Sequence, residues 1–428
     1  MSNAPRRRSF RQRVPSFLSH VGPGVVTGAA DDDPSGIATY TQAGAQFGTG
    51  VLWTVFLTLP FMIAIQLVSA RIGRQSGQGI SANLRLHTPR AFVYSIVALL
   101  LVANTINIAA DIAAMGEALQ LVVGGGQHFH SVVFGMLTML LQVFVPYRKL
   151  APILKWLTLS LFVYVAAAFT VHIPWSRVAH DLMVPQVQES SVFWMMIVAI
   201  FGTTISPYLF FWQASQEVEE MRLRGIRRSE DDARRTRRAV RRMRLDTIVG
   251  MVFSNGIAFF VILMGAVALH GAGITDVQSA AQAAQALRPL AGEFAFALFA
   301  VGIIATGLLA VPVLASSAAY AVAEALEWNE GLEHTWREAK GFYSIIVVAT
   351  IVGTALDFSP VDPMKALYWS AVINGVVAVP IMIAMMILAG KPEVMGPLIV
   401  RRKTRALGWG AVVVMAAAVL MMGWDLMR

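Results

Sequence analysis

Eleven times this sequence runs apolar for about the length needed to cross a lipid bilayer, and that recurrence limits the fold more than any other feature. A spanning helix needs roughly 20 mostly apolar residues. Such stretches lie at about 17–46, 50–70, 91–118, 131–146, 151–171, 192–217, 245–270, 291–323, 342–357, 366–389 and 407–425. Of the 428 residues, 56% are hydrophobic and 14% charged, whereas a soluble domain has about 45–50% and about 25%. Open sheet edges and lipid-exposed loops are not tolerated in hydrocarbon. The pattern therefore implies an all-α polytopic membrane protein. No cysteine is present, which removes disulfides, thiolate metal sites and cysteine nucleophiles together.

The formal charge of +9 would suggest nucleic acid in a soluble protein, but the placement of the charges argues otherwise. With the N-terminus inside, 30 of the 34 Lys and Arg fall at 1–16, 71–90, 148–155, 222–244, 337–340 and 391–405. Only Arg177, Arg288, Lys365 and Arg428 are left outside. Positive residues collect on the cytoplasmic side of membrane proteins. The chain thus reads as a multi-pass protein of the plasma (inner) membrane, with a cytoplasmic N-terminus, an outer C-terminus, lipid around it and no nucleic-acid partner. The basic arm 1–16 leads straight into the first span without a cleavage site, so it is not read as a signal peptide. The charged segment 219–244 reads as a solvated or membrane-surface cytoplasmic helix. No linker separates soluble domains, and the expectation is one membrane domain and a monomer.

The first span carries Asp31, Asp32 and Asp33 in its middle, followed at once by Pro34, Ser35 and Gly36. About 15 helical residues at about 1.5 Å each cover some 22 Å of a core about 30 Å thick. The carboxylates then lie past the midplane. Proline removes a backbone donor and glycine relaxes the helix, and irregular backbone at that depth must be buried in protein or line a watery cavity. The sixth span repeats the interruption from the other side, with Thr203, Thr204, Ser206 and Pro207. Taken singly, the first break could be a short hairpin with a surface acidic cluster, and the second an ordinary proline kink. Two interruptions at matching depths, five spans apart and opposite in direction, instead fit inverted repeats of spans one to five (17–171) and six to ten (192–389). The last span, 407–425, is then an appendage, and transporters of such architecture bind substrate at the breaks.

Electrostatics favour a cation there. A carboxylate in the membrane is costly without a positive partner, and neither broken span contains Lys or Arg. Asp33 with the carbonyls around Ala30 and Thr203 would form an all-oxygen cage, which suits Mg²⁺, Ca²⁺ or Mn²⁺. Asp32 ranks behind Asp33, and Asp31 behind both. In span three, Asn104, Asn107 and Asp111 share one helical face and read either as a water-lined path or as interhelical glue. Asn374, one turn after Ser370, has the same two readings. Glu117 reads as interfacial, Asp246 as an i,i+4 partner of Arg242, Gly44 and Gly48 as a close-packing pair, and Glu324, Glu327, Glu330 and Glu333 as solvated loop residues. No hydrolytic zinc spacing, Ser-His-Asp set or phosphate-cradling loop is present, so an enzyme is not expected, and neither is a cofactor.

The runs GPGVVTGAADDDPSGIATYTQAGAQFG and GTTISPYLFF resemble the Nramp divalent-metal transporters, a family with a LeuT-like fold. The resemblance implies eleven transmembrane helices, a 5+5 inverted repeat with helices 1 and 6 broken, and one extra helix. The family pattern is Asp-Pro-Gly-Asn in the first break and Met-Pro-His in the sixth span. This chain has Asp33-Pro34-Ser35-Gly36 and Ser206-Pro207-Tyr208. Gly36 stands where the family's Asn ligand would be, Ser206 where its Met would be, and Tyr208 in place of a His of the proton route. Asp111 aligns with a family acidic residue of span three, and Ala114 with a second. These departures resemble the Nramp-related magnesium branch, which implies a hydrated ion without proton coupling.

The metal-site expectation is accordingly Asp33, Ala30, Gly36, Thr203, Ser206 and Tyr208, with Asp32, Asn104, Asp111 and Asn374 along a polar pathway. The cargo would be hydrated Mg²⁺, with Mn²⁺ as the second candidate, imported on the membrane potential. Proton-coupled Mn²⁺ import is the main alternative. A divalent-cation channel and a transporter-like metal sensor are alternatives of another class.

Overall fold

The computed structural model describes residues 22–145, 158–223, 233–396 and 400–427. The N-terminal arm, the cations at 148–155, the middle of the charged segment 219–244 and the first residues of spans one and five lie outside these. All regular structure among the described residues is helical. The first span is two short helices, α1 (Pro23–Asp31) and α2 (Pro34–Phe47). There follow α3 (Trp53–Ser76), α4 (Ile80–His87), α5 (Arg90–Val123), α6 (Gln127–Phe144), α7 (Phe162–Ala168) and α8 (Trp175–Met183). The second half holds α9 (Ser191–Thr204), α10 (Pro207–Leu223), α11 (Ala233–Met264), α12 (Ala295–Leu326), α13 (Lys340–Leu356), α14 (Pro363–Leu388) and α15 (Arg402–Leu426). Seven helical stretches among the described residues are long and apolar enough to cross a membrane by length and composition. The other expected spans are the broken first one, the 18-residue α6, the 17-residue α13 and the partly described fifth.

The two breaks are built alike. Asp32 ends α1 at φ −86°, ψ 54°, and Ile205 ends α9 at φ −120°, ψ 60°. In each case one further residue intervenes before a proline opens the next helix. Proline fits the first helical position because its missing N–H would be unpaired there anyway, and it biases the preceding residue toward extended backbone. Asp33, at φ −71°, ψ 170°, takes that conformation and caps α2 by accepting from the Gly36 N–H.

Close backbone contact holds the broken helices in place. A Cβ on Gly28 of α1 would lie 2.2 Å from the Gly250 carbonyl oxygen of α11, and one on Gly202 of α9 would lie 2.1 Å from the Ala371 carbonyl oxygen of α14. Small residues let membrane helices approach this closely. The expected Gly44–Gly48 pair divides its duties. Gly44 packs on α11, where its Cβ would meet the Ile262 oxygen at 2.1 Å, whereas Gly48, at φ +58°, ends α2. Across the molecule α5 packs on α12 and α10 on α3, while α15 lies at the periphery against α3, α9 and α14.

Two acidic residues take on parts that the sequence reading did not include. Asp246, read as a local partner of Arg242, also reaches across from α11 to the start of α1. Its carboxylate accepts from the Gly22 N–H at 2.9 Å and the Gly24 N–H at 2.7 Å. Glu324, read as a solvated loop residue, is buried in the last turn of α12. It accepts from the Ser81 N–H at 3.0 Å, the Ala82 N–H at 3.3 Å and the Ser215 hydroxyl at 2.8 Å. Both satisfy helix N-termini, whose first amides have no intrahelical acceptor.

Candidate cation site at the two helix breaks

Asp33 is 2% exposed, and three donors from two helices converge on its carboxylate. Its Oδ1 accepts from the Gly36 N–H and the Ser35 hydroxyl, each at 2.7 Å. Its Oδ2 accepts from Asn107 Nδ2 of α5 at 3.1 Å and faces the Tyr208 hydroxyl of α10 at 3.5 Å. That phenol has a single proton and directs it to the Ala30 carbonyl at 2.8 Å. Every one of these donors is neutral, so they solvate the carboxylate without compensating its charge.

The neighbouring acids turn elsewhere. Ser254 of α11 lies 2.7 Å from Asp31 Oδ2 and 3.2 Å from Asp32 Oδ1, and its one proton bridges the pair. Asp31 Oδ1 and Asp32 Oδ2 are buried without a hydrogen bond. Asp111 is fully buried on α5, and neither of its oxygens completes a well-formed hydrogen bond. Asp31, Asp32, Asp33 and Asp111 make no ion pair with a Lys or Arg among the described residues. Burying charge without a partner is unfavourable, which makes this acidic cluster a candidate cation site.

Gly36 lets α2 pack closely against α9 at the same place. A Cβ built on it would lie 3.0 Å from Thr203 Oγ1 and 3.5 Å from both the Asp31 carbonyl oxygen and Asp33 Oδ1. Thr203 Oγ1 is itself buried and unpartnered. Asp33, Gly36, Thr203 and Tyr208 thus come together, with the Ala30 carbonyl under the Tyr208 hydroxyl. Ser206 is turned away. Its hydroxyl points back into the last turn of α9, at 2.8 Å from the Thr203 carbonyl and 3.0 Å from that of Gly202.

The span-three face makes hydrogen bonds to two other helices. Asn107 touches Asp33, whereas Asn104 donates to the Leu314 carbonyl of α12 at 2.9 Å and so ties two helices. Asn374 is buried with neither end of its amide partnered. Glu117 accepts from the Ala280 N–H at 2.9 Å. Ser254 was not singled out in the sequence, where nothing marks it locally, because its partners lie 222 and 223 residues away. No cluster of three or more His, Cys, Asp or Glu arranged to chelate a metal occurs among the described residues. The donor set at the break is one carboxylate with hydroxyl, amide and carbonyl oxygens. A cavity of about 190 Å³ reaches down to Ala38, one turn beyond the break on the α2 side, and a cleft of about 50 Å³ opens beside Pro23 on the α1 side. The described residues between them are buried.

Comparison with known proteins finds relatives along almost the whole chain. The chain is 26% identical over 428 residues to a divalent metal cation transporter MntH of Deinococcus radiodurans, covering 97% of this chain and 91% of that protein. It is 26% identical over 415 residues to an MntH of Klebsiella pneumoniae, covering 95% and 93%. The fold matches the crystal structure of a manganese transporter of Eremococcus coleocola with a TM-score of 0.71 at 19% identity, over 94% of this chain and 85% of that one. It also matches MhsT in complex with L-phenylalanine, with a TM-score of 0.64 at 10% identity, over 95% and 99%. A family model described as natural resistance-associated macrophage protein-like matches residues 24–425, and the chain therefore belongs to the Nramp family.

Proposed function

We propose that this protein carries a divalent metal cation across the plasma membrane, with Asp33 as the anchor of the ion and alternating access around the two helix breaks. The observation that carries the reading is the Asp33 carboxylate, buried at the break and solvated only by neutral donors. The positive-inside bias supports a cytoplasmic N-terminus and an outer C-terminus. Within this reading the cargo is Mg²⁺ that keeps part of its water. Mg²⁺ is held by one or two carboxylates and sheds water reluctantly, and Gly36 offers no side-chain ligand that would replace that water. Entry needs no obligatory proton, since about 150 mV supplies about 7 kcal/mol to a divalent ion.

A second reading, proton-coupled Mn²⁺ import, is favoured by Asp111, whose two unpartnered oxygens are suited to hold a proton. The description of a structural neighbour as a manganese transporter points the same way. The deciding experiment is Mg²⁺ and Mn²⁺ uptake into proteoliposomes with internal pH recorded, for wild type and Asp33→Ala. Voltage-driven Mg²⁺ entry without acidification, abolished by the substitution, supports the first reading. Mn²⁺ entry with acidification and no Mg²⁺ flux supports the second, and flux that persists in Asp33→Ala overturns the site.

A further inference from the structure

We infer that Asn107 of α5 is a ligand of the transported cation through its amide oxygen, so that the third span as well as the first holds the ion. This rests on the reading of Asp33 as the ion's anchor and adds a residue to it.

The inference follows from where the unsatisfied oxygens lie. Two of the carbonyls at the helix breaks already accept a hydrogen bond. The Ala30 oxygen accepts from Tyr208 at 2.8 Å, and the Thr203 oxygen from Ser206 at 2.8 Å. Asn107, by contrast, is fully buried, and its Oδ1 has no hydrogen-bond partner. Buried polar atoms are nearly always paired, so this oxygen calls for a donor or a cation.

The orientation of the amide is fixed by chemistry. An ionised carboxylate only accepts, so the end of Asn107 that faces Asp33 Oδ2 at 3.1 Å must be the NH₂ group. The carbonyl end is bonded to the same carbon and therefore lies beside Asp33. One side chain thus holds the anchor in place and presents a second, neutral oxygen next to it. Amide oxygens are regular ligands of hard divalent cations. Thr203 Oγ1, also buried and unpartnered, approaches the break from the opposite side across Gly36.

Asn107 could instead serve only to position Asp33, and the choice of variants separates the two roles. Asn107→Ala removes both the donor and the oxygen. Asn107→Asp keeps an oxygen at the same place but loses the N–H that grips Asp33. Titration calorimetry of the purified full-length protein in detergent with MgCl₂ and with MnCl₂, accompanied by thermal melting, reads both variants against wild type and Asp33→Ala. If Asn107 is a ligand, Asn107→Ala weakens cation binding about tenfold or more, while Asn107→Asp binds as tightly as wild type or more tightly. Wild-type affinity in Asn107→Ala overturns the inference, and so does an Asn107→Asp variant that melts like wild type but binds as weakly as Asn107→Ala. Should Asn107→Ala fail to fold, Asn107→Asp alone carries the decision. Failure of the underlying reading has a different signature, in which wild type and Asp33→Ala bind the cations equally.

Discussion

The Tyr208 hydroxyl, in the first turn of α10, donates to the carbonyl of Ala30 in the last turn of α1 at 2.8 Å. The two broken helices are therefore joined directly at their interruptions, beside the Asp33 carboxylate. Tyr208→Phe preserves the ring and removes only this link, leaving a buried carbonyl unsatisfied at a cost of about 1–3 kcal/mol. The expected result is a lower melting temperature and a maximal uptake rate reduced severalfold. An unchanged rate in proteoliposomes would show that the link plays no part in the transport cycle.

The approach of α1 to α11 makes a contrast between two glycines of one helix. A Cβ on Gly250 would lie 2.1 Å from the Gly24 carbonyl oxygen, whereas one on Gly256 meets nothing within 4 Å. Gly250→Ala is expected to push α1 outward and destabilise the protein by about 1–3 kcal/mol, as overpacking does. Gly256→Ala should be neutral or stabilising by up to about 1 kcal/mol through helix propensity. Thermal melting of the two variants in the same detergent checks the difference, and equal melting temperatures would contradict the packing.

Glu324→Ala is expected to destabilise by about 2 kcal/mol or more, because buried donors are left unmet. Those donors are two amides of α4 and the Ser215 hydroxyl. Glu324→Gln, which keeps an acceptor oxygen, should fall between the variant and wild type in a melting experiment. This residue also marks the limit of what the sequence discloses. Span positions and the two breaks are legible because hydropathy, proline and the loss of helix are properties of a short stretch of chain. Asp33 and Tyr208 are legible for the same reason, since each sits beside a proline at a break. Glu324, Asp246 and Ser254 are not, because their partners lie more than 100 residues away and only packing brings them together. Ser206 misleads in a related way, since a hydroxyl beside a break serves the carbonyls of its own helix as readily as a ligand.

Glu330 lies in the loop after α12, and its carboxyl is pushed up to about 9, above the usual carboxylate range. Burial is the main cause; the Glu324 charge adds to it, Arg222 opposes it at 3.7 Å, and Glu219 adds a little more. An acid whose folded value is raised holds its proton longer in the folded state, so its contribution to stability is lost as pH rises through and above the ordinary carboxylate range. The melting temperature of the wild type is therefore expected to fall more between pH 5 and pH 8 than that of Glu330→Gln. Parallel pH profiles would count against a buried, protonated Glu330.

Gly36 offers the sharpest test of whether the cargo keeps its water. A Cβ at this position would lie 3.0 Å from Thr203 Oγ1, with the Asp31 carbonyl oxygen and Asp33 Oδ1 each at 3.5 Å. The first distance is shorter than an ordinary contact, so a methyl group must press on Thr203. It would also lie against the Asp33 anchor and narrow the approach of a hydrated ion. Mg²⁺ gives up water reluctantly and usually keeps several of its six ligands as water, so it should be penalised more than Mn²⁺. Gly36→Ala is expected to raise the KM for Mg²⁺ uptake about tenfold, in line with about 1.4 kcal/mol per factor of ten, and that for Mn²⁺ distinctly less. Competition uptake in proteoliposomes, with both ions present, measures the ratio directly. An equal loss for the two ions would mean that the substitution merely disturbs the break, and that the small residue at position 36 plays no part in admitting a hydration shell.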